Sequence, residues 1–379
     1  MAKLNPDLQT FANILVVGVG GSGNNAVARM IASKIEGVKF VAVNTDAQDL
    51  HYSNAPTKLN IGKNLTRGLG AGMNPEIGRQ AAEENIDEIK DVLKGADMVF
   101  VTGGFGGGTC TGAAPVVAKA AKESGALTVS VVTRPFGFEG RVRTRIAEEG
   151  LNNLKDHVDA MVVINNDRIL NVVDRKMTLV ESFREVDDVL RRGVQGISDL
   201  VVQPGIVNVD FADINAVMRD AGSAMLGVGY ASGEDRAMEA ARTAINSPLL
   251  DTSIAGARGI LFSVAGGDDL AMSEINDAAK IITDEINSEA KVIFGAYNDA
   301  KLKKGEIKIT VIATGFADGP VIMAEELDFP NTNGNGNGND QAKDNKTIPV
   351  ATKLKKEKDK EKQDEEDWDI PAFIRKKIK

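Results

Sequence analysis

The chain has 379 residues, 42% of them hydrophobic, which is enough to bury a sizeable core, and its length favours two domains over one. Aromatic residues make up 4% and glycine contributes 39 positions, a balance that suits tight loops and aliphatic packing rather than an aromatic binding platform. A net charge of −9 without a dense basic stripe argues against nucleic acid as a partner. A single cysteine excludes an internal disulfide framework and fits a reducing compartment. Met1 to Phe11 carry no signal-peptide pattern, and no apolar run approaches the roughly 18 residues that span a bilayer. Membrane contact is therefore expected only through a partner or a short tail.

The first half alternates short apolar runs with helix-period stretches. Ile14–Val19, Lys39–Asn44, Met98–Thr102, Leu127–Thr133 and Met161–Asn165 read as buried strands of a parallel sheet. Between them, Asn24–Lys34, Pro75–Lys94 and Ala113–Ser124 read as helices, and this alternation implies an α/β layer architecture. From Met177 to Val201 apolar residues recur at steps of three and four, which predicts a helix long enough to bridge two domains. An ordinary buried core helix has the same pattern.

The second half mixes helices Gly233–Asn246 and Ser273–Asn287 with strands Gly259–Ala265, Lys291–Tyr297 and Ile307–Thr314. Two of these strands have no helix between them, so a smaller α+β domain with a mixed sheet is expected. Order is expected to end near Phe316–Ala324. Asn331–Asp340 is an Asn/Gly repeat and Lys353–Asp367 a Lys/Glu/Asp tract, neither able to bury enough to fold. Asp367–Lys379 (DWDIPAFIRKKIK) regains an apolar pattern.

Gly18-Val19-Gly20-Gly21-Ser22-Gly23 follows a strand and opens a helix, and Asp46 ends the next strand where a ribose-binding acid belongs. Alone, this points to a dinucleotide-binding turn and an NAD-dependent oxidoreductase. Two further glycine loops, Gly68–Gly72 before Asn74-Pro75 and Gly103–Gly112 before the helix at Ala113, shift the weight. Glycine lets backbone N–H groups approach an anion, and a helix N-terminus adds partial positive charge. A dinucleotide pyrophosphate needs one such loop, whereas a triphosphate can use three. Each loop could also be a tight connection between strand and helix. No G-x-x-x-x-G-K-[ST] occurs, so the chain is not a P-loop NTPase, and neither His51 nor His157 supplies a hydride site or metal-ligand spacing.

GGGTCTG at 106–112, Asn208-x-Asp210-x-x-Asp213 and DIPAFIR at 369–375 occur in an order that resembles the tubulin/FtsZ superfamily, and bacterial FtsZ within it. The resemblance runs from about residue 10 to 318 and resumes at 367. It implies a Rossmann-like parallel-sheet GTPase domain (10–176), a long central helix (177–203), a smaller α+β C-terminal domain (204–318), a disordered linker (319–366) and a partner-binding peptide (367–379). GTP or GDP, with Mg²⁺ and K⁺, would lie across the carboxyl ends of the first-domain strands. Gly20, Gly21, Ser22, Gly23, Asn24, Asn25, Gly72, Gly107, Gly108, Thr109, Cys110 and Thr111 would surround the phosphates. Glu139 and Arg143 would hold the ribose and phosphate side, and Asn166, Phe183 and Asp187 the guanine.

These residue types suit those roles. The Asp187 carboxylate can accept from guanine N1–H and N2–H₂, where adenine presents an acceptor, and Phe183 lies four residues earlier on the same helix face. On pattern alone core packing is the readier reading of Phe183, and Glu139 with Arg143 reads as an exposed i,i+4 pair. Asp210 and Asp213 also read as an N-cap and a first-turn acid. The resemblance instead makes Asn208, Asp210 and Asp213 the catalytic segment, acting on the nucleotide of the next subunit in an open head-to-tail filament. No metal ligand is assigned to a protein side chain.

Three positions depart from the family pattern. Cys110 stands where Gly is usual, Asn165 replaces a frequent Pro, and Glu185 is bulkier than the usual small residue. Positive φ at Cys110 would strain the loop, and a thiol at a helix start raises the idea of redox sensing beside that of a tolerated small side chain. In the tail, Ile370, Phe373, Ile374 and Ile378 follow helical spacing beside Trp368, Pro371 and Arg375. Such a short helix would form mainly on a partner. The resemblance names membrane-tethering division proteins such as FtsA, ZipA or SepF, together with assembly regulators, at the mid-cell inner membrane face. A non-hydrolysing filament or regulator, and a plasmid-segregating relative, are the alternatives within this fold.

Overall fold

The computed structural model describes residues 12–170, 177–203, 205–247, 253–299 and 301–316. The linker, the terminal peptide and its residues Trp368, Ile370, Pro371, Phe373, Ile374 and Arg375 lie outside the described residues.

The chain begins with β1 (Ile14–Val19), α1 (Gly20–Ala32), β2 (Val38–Asn44), α2 (Ala47–Tyr52), β3 (Thr57–Asn60) and α3 (Lys63–Thr66). It continues through α4 (Pro75–Glu84), α5 (Ile86–Leu93), β4 (Met98–Gly104), α6 (Thr109–Glu123), β5 (Leu127–Arg134), α7 (Arg141–Lys155), β6 (Ala160–Asn165) and α8 (Asn166–Leu170). The order β3-β2-β1-β4-β5-β6 is parallel throughout. Alternation along each strand sends Ile14 and Val16 to one face and Leu15 and Val17 to the other, both buried, as a parallel sheet covered on two sides requires. Helices α4 to α7 cover one face, and α1 covers the other together with α9 (Leu179–Val202).

Helix α9 opens on a reciprocal cap. Thr178 N donates to Glu181 Oε2 at 2.7 Å, and Glu181 N donates back to Thr178 Oγ1 at 3.3 Å. At about 1.5 Å per residue its 24 residues span roughly 36 Å. Beyond it come α10 (Phe211–Met218), β7 (Gly222–Ser232), α11 (Arg236–Ile245), β8 (Gly259–Gly266), α12 (Met272–Asp284), β9 (Lys291–Asn298) and β10 (Glu306–Thr314). Strand β10 runs antiparallel between β7 and β8, and β9 is parallel to β8, which makes the mixed sheet expected of the second half. Strand β7 also pairs with β6 over Ala160–Val162, so the two sheets join edge to edge. Among the described residues no helix is long and apolar enough to cross a membrane.

The structure differs from the sequence expectation in several places. The stretch Pro75–Lys94 is two helices, because Asn85 turns its buried side chain outward from the helix path, accepting from Gly62 N at 2.8 Å. Strands β3 and β7 have no counterpart among the predicted strands. In β7, Gly227 and Gly229 let α11 lie directly on the strand, since a Cβ at either would collide with the carbonyl oxygen of Ala244 or Ala240. Helices α1 and α6 begin earlier than expected, so Gly20–Asn25 and Thr109–Gly112 form their first turns.

Candidate functional site

The glycine loops converge where β1 and β4 end. Gly20 opens α1 with φ +73°, and a Cβ there would stand 3.2 Å from Cys110 N in the first turn of α6. Gly104 N donates to Ser22 Oγ at 2.6 Å. The third loop closes the ring, as a Cβ on Gly108 would sit 2.8 Å from Ala71 Cβ and from Asn74 N. Gly21, Ser22, Asn25 and Gly72 are exposed at the rim, and Gly107 faces open space. Gly23 and Asn24 are buried. Neither α1 nor α6 has an acidic residue in its first turn, so both N-termini present uncompensated positive charge. The crevice is built for an anion.

Thr111 is buried and its Oγ1 accepts from Gly106 N at 3.0 Å, holding the loop. Cys110 is helical without positive φ, so the substitution for Gly strains nothing. Burial pushes its thiol up to about 12, which removes the thiolate that redox sensing requires. Asn165 turns the chain into α8, its Oδ1 accepting from Asp167 N at 3.0 Å. Glu185 lies 4.0 Å from Arg192 on the surface of α9.

Beyond the glycine loops, α7 brings Arg143 against Gly106, where a Cβ would meet Arg143 Cγ at 2.8 Å. Arg143 Nη1 pairs with Glu139 Oε2 at 2.8 Å, and Glu139 Oε1 accepts from Phe136 N at 2.9 Å. The pair is thus half-buried and tied to the backbone, unlike an exposed surface pair. Phe136 packs edge-on against Phe183 with centroids 5.5 Å apart, and Phe183 remains 41% exposed, which is not core packing. One turn along α9, Asp187 Oδ2 accepts from Arg29 Nε at 3.2 Å. Burial raises the Asp187 carboxyl above the usual range, against the opposing charge of Arg29.

Two acceptors on this side are left over. Asn24 Nδ2 donates to Asp49 Oδ2 at 3.1 Å, while Asn24 Oδ1 and Asn166 Oδ1 are buried with no hydrogen-bond partner. Buried unpaired acceptors are costly, so a donor-bearing ligand or water is the expected partner. Asp46, the acid a dinucleotide fold would turn to the ribose, instead caps α2 by accepting from Gln48 N at 2.9 Å and Asp49 N at 3.1 Å.

Asn208, Asp210 and Asp213 sit at the other end of α9. Asn208 Oδ1 accepts from Gly205 N at 2.7 Å, and Val207 is bridged to Ala296 of β9. Asp210 occupies the N-cap position of α10 but its side chain makes no capping bond, contrary to the plain capping reading. Asp213 is in the first turn, and both carboxylates are exposed. Neither makes a side-chain hydrogen bond or ion pair among the described residues.

The sequence does not single out Arg29, Phe136, Thr45 or Asp49. Arg29 reads as a basic last-turn residue favourable to the dipole of α1, and only the fold brings α9 beside it. Asp49 looks like an ordinary first-turn acid of α2.

Residues 13–174 match the Tubulin/FtsZ family, GTPase domain, and residues 222–317 match the FtsZ family, C-terminal domain. The empty FtsZ dimer from M. jannaschii is 46% identical, with a TM-score of 0.78 over 82% of this chain and 93% of that one. A point mutant of M. jannaschii FtsZ is 48% identical, with the same TM-score over 81% and 92%. CetZ2 from Haloferax volcanii, a GTPγS-bound protofilament, shares the fold at 24% identity, with a TM-score of 0.69 over 79% and 92%. The two family matches follow one another in chain order, the first of them covering the glycine loops, and the protein belongs to the tubulin/FtsZ family of GTPases.

Proposed function

We propose that this protein is a self-assembling division GTPase whose active site is completed by two subunits. The observation that carries the reading is the placement of the two halves of the site at opposite ends of α9. Asp187 lies near its start, and Asp210 follows its end. The fifteen helical steps from Asp187 to Val202 already cover roughly 22 Å, which supports a site shared between subunits over one closed within the chain. The glycine loops, Glu139, Arg143, Asn166, Phe183 and Asp187 would hold GTP. Asp210 and Asp213 of the next subunit, with Asn208 ordering their loop, would orient and polarise the attacking water. The loop N–H groups would stabilise phosphoryl charge. A head-to-tail contact of this kind does not close, and it generates a filament. Exposed Leu69, Met73 and Phe138 beside the crevice, and Ile206 beside the acids, suit such a contact.

Guanine fits the acceptors at Asn166 and Asp187, because its N1–H and N2–H₂ are donors. Among the described residues no group of three His, Cys, Asp or Glu side chains could hold a metal. Mg²⁺ therefore fits as an ion carried by the phosphates, with the Asp49 carboxylate beside Gly21 as a nearby hard oxygen. When bound, Mg²⁺ neutralises phosphoryl charge, and K⁺ would accompany it. The role extends to a cytokinetic ring on the cytoplasmic membrane face at mid-cell, with the terminal peptide docked on tethers such as FtsA, ZipA or SepF. GTP turnover per subunit against protein concentration tests the mechanism. Turnover near zero below a threshold and rising above it is expected. Constant turnover per subunit would mean a site complete within one chain and would overturn the reading.

A further inference from the structure

Thr45 follows β2 and is fully buried between the second and third glycine loops. Its carbonyl accepts from Thr66 Oγ1 at 3.2 Å and from Gly70 N at 3.4 Å, which anchors the Gly68–Gly72 loop through backbone alone. The next residue, Asp46, bridges to Leu69. The side chain does something separate, because Thr45 Oγ1 lies 2.6 Å from Thr109 Oγ1, the first residue of α6. Thr109 is half-buried and opens the helix whose N-terminus faces the crevice.

A hydroxyl has one proton and two lone pairs, and phosphate oxygens only accept. If Thr109 donates to a phosphate, its proton is committed and Thr45 must donate to Thr109. The order Thr45 O–H to Thr109 O–H to phosphate is then the only satisfied arrangement of the pair, and each bond polarises the next. From this geometry we infer that Thr45 is a positioning residue, acting through Thr109 to hold the first hydroxyl of α6 as a donor to the bound phosphates. The inference rests on the nucleotide reading of the crevice.

The test is a double-mutant cycle on the full chain, with GTPγS binding to nucleotide-stripped protein read by titration calorimetry. Thr45→Val removes the donor at nearly constant volume and spares the backbone anchor. It is expected to weaken GTPγS binding about tenfold, the scale of one hydrogen bond to a charged chain, with Thr45→Ser restoring most of the loss. Because Thr45 acts through Thr109, the double variant Thr45→Val/Thr109→Val should bind no worse than Thr109→Val alone. Unchanged affinity in Thr45→Val, or losses that multiply in the double variant, would overturn the inference. If Thr45→Val does not melt cooperatively, Thr45→Ala takes its place in the same cycle, since water from the half-open Thr109 side can fill the smaller site. Wild-type protein that fails to bind GTPγS would instead defeat the nucleotide reading itself.

Discussion

Arg29 Nε and Asp187 Oδ2 meet at 3.2 Å across the contact of α1 with α9, and this pair leaves the Asp187 carboxylate aimed along the face that also carries Phe183. Under the proposed reading of the crevice, an acid there would accept from two donors of guanine at once. Asp187→Asn would replace one acceptor by a donor that clashes with guanine N1–H or N2–H₂ and matches the O2 acceptor of xanthine. GTP turnover should fall on the order of a hundredfold while XTP turnover rises toward it. A side-by-side assay of the two nucleotides decides this, and a parallel fall for both would remove Asp187 from base recognition.

The same pair predicts a pH dependence. Burial raises the Asp187 carboxyl in the folded state and Arg29 opposes that rise. Between the unfolded and folded titration points the folded chain holds more protons, so stability from this group declines as pH rises through that window and is level above it. Arg29→Ala removes the opposing charge and moves the upper edge of the window to higher pH. Arg29 is 36% exposed, so solvent screening limits the cost at neutral pH to about 0.5–1 kcal/mol. Thermal melting of both proteins from about pH 4 to about pH 7 should show the deficit of the variant growing with pH. A deficit independent of pH would contradict the assignment.

Much of this architecture was legible in the sequence. The strand Ile14–Val19 coincides with the predicted run, and β2, β4, β5 and β6 agree to within two residues, because a strand buried on both faces has an uninterrupted apolar signature. The short, half-exposed edge strand β3 has none and is not predicted. What stayed hidden depends on partners distant in sequence. Asn85 breaks a regular helix pattern only because Gly62 needs its side chain. The glycines of β7 break up any strand signature there, and their fit to α11 shows only in the fold. At the site, glycine loops announce themselves by composition, whereas Arg29 and Thr45 gain meaning only from Asp187 and Thr109, 158 and 64 residues away.

If the site spans two chains, defects in its halves should complement. Asp210→Ala, exposed and unpaired in the free chain, should leave GTP binding intact and lower turnover on the order of a hundredfold. Asp187→Ala should damage the crevice and leave the acids intact. In a random one-to-one copolymer, about a quarter of the contacts join an intact crevice to intact acids, so about a quarter of the turnover should return. Measuring turnover across mixing ratios checks this, and a mixture no better than the sum of its parts would place the whole site in one chain.

The far end of α9 is fixed differently. Asp199 Oδ2 lies 3.5 Å from Lys308 Nζ of β10 and accepts from Tyr297 OH of β9 at 3.3 Å, with all three side chains buried. Burial raises the Asp199 carboxyl, Lys308 opposes the rise, and nearby Asp299 adds to it. Gly196, one turn earlier on α9, packs against Thr310 with no side chain to key the register, so the ionic cluster adds a directional contact to the apolar packing of Val194, Ile197 and Leu200. Lys308→Met strands a buried carboxylate and should cost about 3–5 kcal/mol. The deficit should shrink in acid, because protonating Asp199 removes the unpaired charge. Adding Asp199→Asn should recover most of the loss, since the amide oxygen still accepts from Tyr297 and no charge is left to bury. Urea unfolding of the two variants at neutral and acidic pH measures all three effects. A single variant as stable as the parent at neutral pH would show that the cluster does not hold α9 to the second sheet.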